Sequence, residues 1–282
     1  MPRVHVVTDS SSDLTPELKE RYGIATVPLY IIFGEQAYRD QAEISTPGFY
    51  DRMASGGVLP RTSQPSPADF LAVYQAISEP GETIVSVHLS QKLSGTFQSA
   101  YMASGMVTDR TVIPVDSGTV STGLGLAVLA AARAAEQGLP GEAVAEVASR
   151  TAARIHHIFA VDSLDHLQRT GRIGRAAAFV GGLLSVKPLL TIEDGIVAPL
   201  EKVRGKSKVL GRMVEIMEQR TPPGRSIVLT LPHSGPAEES AELEAQIRQR
   251  WDVRELVRGW IGPVVGANAG PGILGTLWYE VE

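Results

Sequence analysis

Three short stretches carry polar side chains whose types suit the binding of a carboxylate. "RTSQPSPADF" holds Thr62, Ser63 and Gln64 just ahead of a helix whose first turn takes Pro67. "SQKLSGTFQSA" places Ser94 and Gly95 at the opening of a second helix, and "GANAGPGILG" holds Asn268 in a glycine-rich turn. Hydroxyls and a side-chain amide donate hydrogen bonds to an anion. The first amides of a helix, with its dipole, do the same. Such a set makes an uncharged carboxylate cradle where the three segments meet in space. Each stretch also has an ordinary structural use, since a serine before a helix is its common N-cap.

More familiar motifs fail on context. Gly270-Pro271-Gly272-Ile273-Leu274-Gly275 fits G-x-G-x-x-G, but a dinucleotide loop needs a helix after it and an acidic residue roughly 20 positions on. "TLWYEVE" follows instead and alternates like a strand, and Pro271 removes an amide donor. What remains is a tight turn whose backbone can approach another group closely. "VRGKSK" resembles the end of a P-loop, yet Leu200 stands where its first glycine belongs. There is no G-x-S-x-G elbow and no H-E-x-x-H. The six histidines, His5, His88, His156, His157, His166 and His233, show no metal-ligand spacing. His156 and His157 are adjacent, so on a strand they point to opposite faces.

The elements that must position these residues change character along the chain. In the first half "VHVVTD", "ATVPLYIIF", "ETIVSVHLS" and "RTVIPVDS" read as strands. They alternate with helical stretches, "PADFLAVYQAIS", "GTFQSAYMASGMV" and "STGLGLAVLAAARAAEQG". That order predicts a three-layer α/β domain with a parallel sheet. Strand ends at Asp9-Ser10, His88-Leu89-Ser90 and Asp116-Ser117 are polar, and ligands of open α/β sheets bind beyond the carboxyl ends of strands. The second half predicts a two-layer α+β domain with a mixed sheet. It has a hairpin around Glu193-Asp194-Gly195, amphipathic helices in "KVLGRMVEIMEQR" and "PAEESAELEAQIRQRW", and strands in "SIVLTLPH", "VRELVRGWIG" and "GTLWYEVE". The expected division is 1–157 and 158–282.

Composition narrows the function. The 282 residues are 43% hydrophobic and 20% charged, with a formal charge of −5, which argues against nucleic acid as partner. With no cysteine, disulfides, thiolate catalysis and thiolate metal sites are excluded. No signal-peptide core or membrane-spanning run is apparent, so a cytoplasmic protein is expected.

Seven markers stand in one order along the whole chain: "VVTDSSSDL", "RTSQPSPADF", "KLSGTFQSA", "VDSGTVSTGLG", "SLDHLQRTGRI", "KVRGKSK" and "GPVVGANAGPGILG". In this the chain resembles the DegV family, the fatty-acid-binding proteins also called FakB. The resemblance implies an α/β domain and an α+β domain with a long-chain fatty acid, such as palmitate, between them. The tail would lie in an apolar tunnel and the carboxylate on hydroxyls and backbone amides. It also implies a partner fatty-acid kinase that makes the acyl phosphate for phospholipid synthesis, with transient membrane contact allowed and no further cofactor. On this resemblance Thr62, Ser63, Ser94 and the amide of Gly95 bind the carboxylate. Asn268 stands where the family often has histidine, and asparagine carries no proton near neutral pH.

The run "RAAAFVGGLLSVKPLL", with small Ala176, Ala177, Ala178, Gly181 and Gly182, fits close packing or room for an acyl chain. Arg172, Arg204, Lys206 and Lys208 cluster in two loops. Beside their ordinary use as solvated surface, they suit a basic rim facing the acidic surface of a kinase. Two other classes remain open from sequence: a phosphotransfer or hydrolytic enzyme using Ser94, with His88 its nearest base in sequence, and a lipid-sensing regulatory module.

Overall fold

The computed structural model describes residues 3–180, 186–235 and 237–281. The chain forms two compact units, residues 1–153 with 262–267, and residues 154–261 with 268–282. The expected division treats the C-terminal half as continuous; the segment 262–267 packs within the first unit instead.

The first unit runs β1 (Val4–Asp9), α1 (Pro16–Tyr22), β2 (Ala25–Val27), β3 (Tyr30–Phe33), β4 (Gln36–Arg39), α2 (Thr46–Ala54), β5 (Arg61–Ser63), α3 (Pro67–Ile77), β6 (Thr83–His88), α4 (Thr96–Ser104), β7 (Thr111–Asp116), α5 (Thr122–Glu136) and α6 (Gly141–Arg154). Its main sheet has the order β2-β1-β6-β7 and is parallel throughout. Consecutive residues of β1, Val6 and Val7, are both buried, as a sheet covered on both faces requires. Val7 and Ile84 pack with Phe70 and Tyr74 of α3 and Ala100 and Ala103 of α4, whereas α5 runs along β1 and β6.

One expectation needs correcting. "ATVPLYIIF" is not a single strand. Its first half, β2, joins the parallel sheet, and its second half, β3, starts a separate antiparallel sheet of order β4-β3-β5. Proline and leucine between the halves give no ladder hydrogen bond on the proline side, and Leu29 donates its amide to Ser10 Oγ instead. The small sheet buries Ile31 and Phe33 against Phe49, Val264 and Ala267.

The second unit runs β8 (His156–Ala160), α7 (Asp165–Arg169), β9 (Val186–Glu193), β10 (Ile196–Arg204), α8 (Val209–Arg220), β11 (Ser226–Thr230), α9 (Ala237–Arg248), β12 (Asp252–Val257), α10 (Pro263–Ala269, which straddles the two units) and β13 (Leu274–Glu280). These strands form one mixed sheet, β10-β9-β8-β13-β11-β12. The predicted hairpin is the β9–β10 pair, turning at Asp194 and Gly195. The strand expected from "VRELVRGWIG" stops at Val257. Trp251 and Trp278 are buried in this core, and both indoles are satisfied by Thr221, through its carbonyl at 3.1 Å and its hydroxyl at 2.9 Å. Adjacent His156 and His157 face opposite ways. His156 stacks on Trp278 at 4.9 Å, while burial pushes the His157 imidazole down to about 3 and keeps it neutral.

Candidate functional site

The polar ends of β1 and β6 fix the loop that carries Ser94. Asp9 ends β1 and is fully buried. Its Oδ2 accepts from the amide of Leu89 at 3.1 Å and lies 3.0 Å from His88 Nδ1. Its Oδ1 accepts from the amide and hydroxyl of Ser11. The next residue of the loop, Ser90, donates its amide to Thr119 O at 2.8 Å and accepts the amides of Leu93 and Ser94 at 2.9 and 3.1 Å. The "DSSSD" run therefore acts from beneath the site, tying two strand ends together.

Ser94 does not take the ordinary N-cap use at α4. Gly95 is the N-cap residue, with φ −74° and ψ 7°, and it has no side chain to cap with. Ser94 sits one residue outside, half-buried, with Oγ 2.9 Å from Thr96 Oγ1 and 3.3 Å from the Thr96 amide that it accepts. Because the first intrahelical bond is made by the Ser99 amide to Gly95 O at 3.0 Å, the amides before Ser99 are left for other acceptors.

Thr62 and Ser63 lie on β5 at an edge of the small sheet, paired with Ile31 and Tyr30 of β3. Thr62 is half-buried and Ser63 exposed, with only a 3.4 Å contact from Ser63 Oγ to Gln64 O. α3 starts just beyond, at a capping box: Ser66 Oγ accepts the Asp69 amide at 3.2 Å, and Asp69 accepts the Ser66 amide at 2.8 Å. Tyr30 donates its hydroxyl to Asp69 Oδ1 at 3.3 Å, which joins this turn to β3.

Gln64 brings the β5 and α4 stretches together. Its Nε2 donates to Ser99 Oγ at 3.1 Å, and its carboxamide lies directly over Gly95. A Cβ at Gly95 would stand 2.7 Å from Gln64 Cδ and Nε2, and closer still to Oε1. In the sequence Gln64 is one polar residue among several ahead of α3, with no role of its own. No local signal relates a residue ahead of one helix to a glycine opening another.

Asn268 is not in the glycine turn. It is half-buried in the last turn of α10, and the turn proper begins at Gly270, where φ is +86°. That turn is glycine-rich for a reason of packing within the second unit: a Cβ on Gly270 would meet His166 Cδ2 at 2.7 Å, and one on Gly272 would meet the Asp162 carboxylate. Among the described residues, a strand follows the turn, as the rejection of a dinucleotide loop requires.

The basic residues lie in the second unit. Arg172 is exposed and donates to Thr170 O at 2.6 Å; Arg204 is exposed at the end of β10; Lys208 is exposed and precedes α8. The side chain of Lys206 lies outside the described residues. Of the small-residue run, Gly174–Phe179 is a 3-10 helix in which Ala176 is buried, whereas Ala177 and Ala178 are exposed. Gly181 and Gly182 lie outside the described residues.

His88 cannot serve Ser94 as a base. Both of its ring nitrogens are engaged, Nδ1 with Asp9 and Nε2 with Ser86 Oγ at 2.6 Å, and Ser86 in turn lies 2.9 Å from Tyr74 Oη. The Asp9–His88–Ser86–Tyr74 chain is wholly buried, so it cross-links the core and offers no nucleophile to a ligand. A second buried group flanks it. Ser121, strained at φ 59° and ψ −145°, donates to Asp13 Oδ2 at 2.6 Å. Burial, more than the charges of Asp40 and Asp9, holds the Asp13 carboxyl well above its usual range, and burial pushes Asp40 up to about 7. No group of three or more His, Cys, Asp or Glu among the described residues is placed to hold a metal, and no helix among them is long and apolar enough to cross a membrane.

Comparison with known proteins agrees with this architecture. The family model described as an uncharacterised protein of the DegV family matches residues 3–281. A DegV domain-containing protein of Streptomyces coelicolor is 38% identical over 276 residues, 97% of either chain. A DegV family protein from Thermus thermophilus, described for its fatty acid binding, superposes with a TM-score of 0.92 at 35% identity, covering 99% of this chain and 100% of its own. A stearic-acid-binding protein from Eubacterium ventriosum gives 0.87 at 28% identity, covering 99% and 98%. With the family matched across nearly its full length and the same α/β and mixed-sheet architecture, this chain belongs to the DegV family.

Proposed function

We propose that this protein binds a long-chain fatty acid such as palmitate or stearate and presents the carboxylate to a partner fatty-acid kinase, which forms the acyl phosphate used in phospholipid synthesis. The observation that supports the reading is the contact of Gln64, the residue after Thr62 and Ser63, with Gly95 and Ser99 at the start of α4, in a chain whose structural relatives are described as binding fatty acids. Hydroxyls and helix-start amides suit a carboxylate, and nothing in that set supplies a base for catalysis by Ser94. Asn268 is kept in this proposal as a further candidate donor to the carboxylate. The tail enters an apolar tunnel, where each buried CH₂ contributes about 0.8 kcal/mol, so the chain drives affinity and the head group sets orientation. The protein is a cytoplasmic, non-catalytic carrier, and the kinase does the chemistry.

Organic extraction of the purified protein followed by mass spectrometry tests the ligand class. A roughly stoichiometric fatty acid is the expected result. An empty extract with no thermal shift on adding palmitate refutes the carrier reading. For the partner, the proposal assigns Arg172 and Arg204, with Lys206 by sequence alone, to contact with the kinase. Arg204→Glu combined with Lys206→Glu should lower acyl-phosphate formation by an added kinase at least tenfold while leaving palmitate affinity unchanged. Unchanged turnover removes the rim.

A further inference from the structure

Gln64 occupies a place that the head-group cradle leaves unassigned. The backbone on either side of it is held: Thr62 and Ser63 by pairing with β3, Ser66 by the capping box of α3. Its side chain leaves this fixed stretch and crosses to another element. The carboxamide lies on the open face of Gly95, and Nε2 donates to Ser99, a buried residue one turn into α4. One side chain thus spans the first turn of α4, whose opening amides the proposed function assigns to the carboxylate. Glycine at 95 is what lets the carboxamide lie there, since any Cβ would occupy its place.

The chemistry of the amide matters as much as its reach. Glutamate has the same shape, but it lacks the N–H that Ser99 accepts and would set a negative charge against the helix start. We infer that Gln64 is a positioning and charge-selecting residue of the head-group cradle: its amide locks β5 to the start of α4, and its neutrality keeps that helix start receptive to a carboxylate. The inference rests on the fatty-acid reading above and deepens it.

The test uses the delipidated full-length protein, palmitate as probe, and the variants Gln64→Glu, Gln64→Met and Ser99→Ala, each titrated from pH 5 to pH 8 with thermal unfolding in parallel. Gln64→Glu should bind palmitate about tenfold more weakly than the unsubstituted protein at pH 8, and that ratio should shrink as the pH falls and the new carboxyl takes up a proton. Gln64→Met and Ser99→Ala should lose a few-fold at every pH, because they break the bond without adding charge. A purely structural role would weaken Gln64→Glu and Gln64→Met alike, with no pH slope in the ratio; that result, or wild-type affinity in both, overturns the inference while leaving the fatty-acid reading intact. If the unsubstituted protein takes up no palmitate, the fatty-acid reading falls, and the inference with it.

Discussion

Replacing Gly95 by alanine sets a methyl group 2.7 Å from Cδ and Nε2 of Gln64. Carbon atoms in contact prefer roughly 3.5–4.0 Å. The backbone at Gly95, φ −74° and ψ 7°, suits alanine, and the nearest clash is with the Gln64 carboxamide. The carboxamide must swing away and give up its 3.1 Å bond to Ser99. Losing one neutral hydrogen bond costs about 1 kcal/mol, and the reduced freedom of alanine in the unfolded chain offsets about 0.4–1 kcal/mol of it. Urea unfolding should therefore move by less than about 1 kcal/mol. Palmitate affinity should fall about tenfold, equivalent to ~1.4 kcal/mol, because β5 and α4 are no longer held in register. In a Gln64→Ala background that clash is gone, and Gly95→Ala should then cost less. The assay is a double-mutant cycle on palmitate affinity, with an expected coupling of about 1 kcal/mol. Two substitutions that simply add, within about 0.3 kcal/mol, would refute the claim that residue 95 is glycine because of Gln64.

Other outcomes follow from the same geometry. Ser94→Ala removes a hydroxyl that contacts Thr96, so stability should change by about 1 kcal/mol or less while palmitate affinity drops roughly 10- to 100-fold, the worth of a bond to a charged group; unchanged affinity takes Ser94 out of the proposed site. Asn268→His places an imidazole in the last turn of α10, where the dipole favours its protonated form. Palmitate binding by that variant should tighten below about pH 6.5, and a flat pH profile excludes the contact. Asp40, pushed up to about 7 by burial, holds its proton in the folded state where the unfolded chain has lost it. Its contribution to folding is thus undiminished below about pH 4, is lost as pH rises, and has fallen by roughly 4 kcal/mol above pH 7. Asp40→Asn should raise the urea midpoint at pH 8 and barely change it at pH 4; equal shifts at both values would show that ionisation is not the cause.

Much of this protein is written locally. Alternation of β-branched runs with helical stretches specified the parallel sheet, and the Glu193-Asp194-Gly195 turn specified its hairpin, because periodicity and turn chemistry act over a few residues. The proposed anion residue Ser94 was also legible, since it stands beside a helix start whose amides need acceptors or ligands whatever lies around it. Other features depended on which distant residues meet. The break of "ATVPLYIIF" into two sheets follows from where Leu29 finds Ser10. The burial of His88 between Asp9 and Ser86 removes a base that sequence proximity offered to Ser94. The return of 262–267 to the first unit follows the packing of Val264 and Ala267 against Phe49 and its neighbours. Above all, the sequence shows Gln64 and Gly95 as a glutamine and a glycine 31 positions apart. Only the folded chain lays one on the other, because side-chain volume excludes a neighbour in space and leaves no trace along the chain.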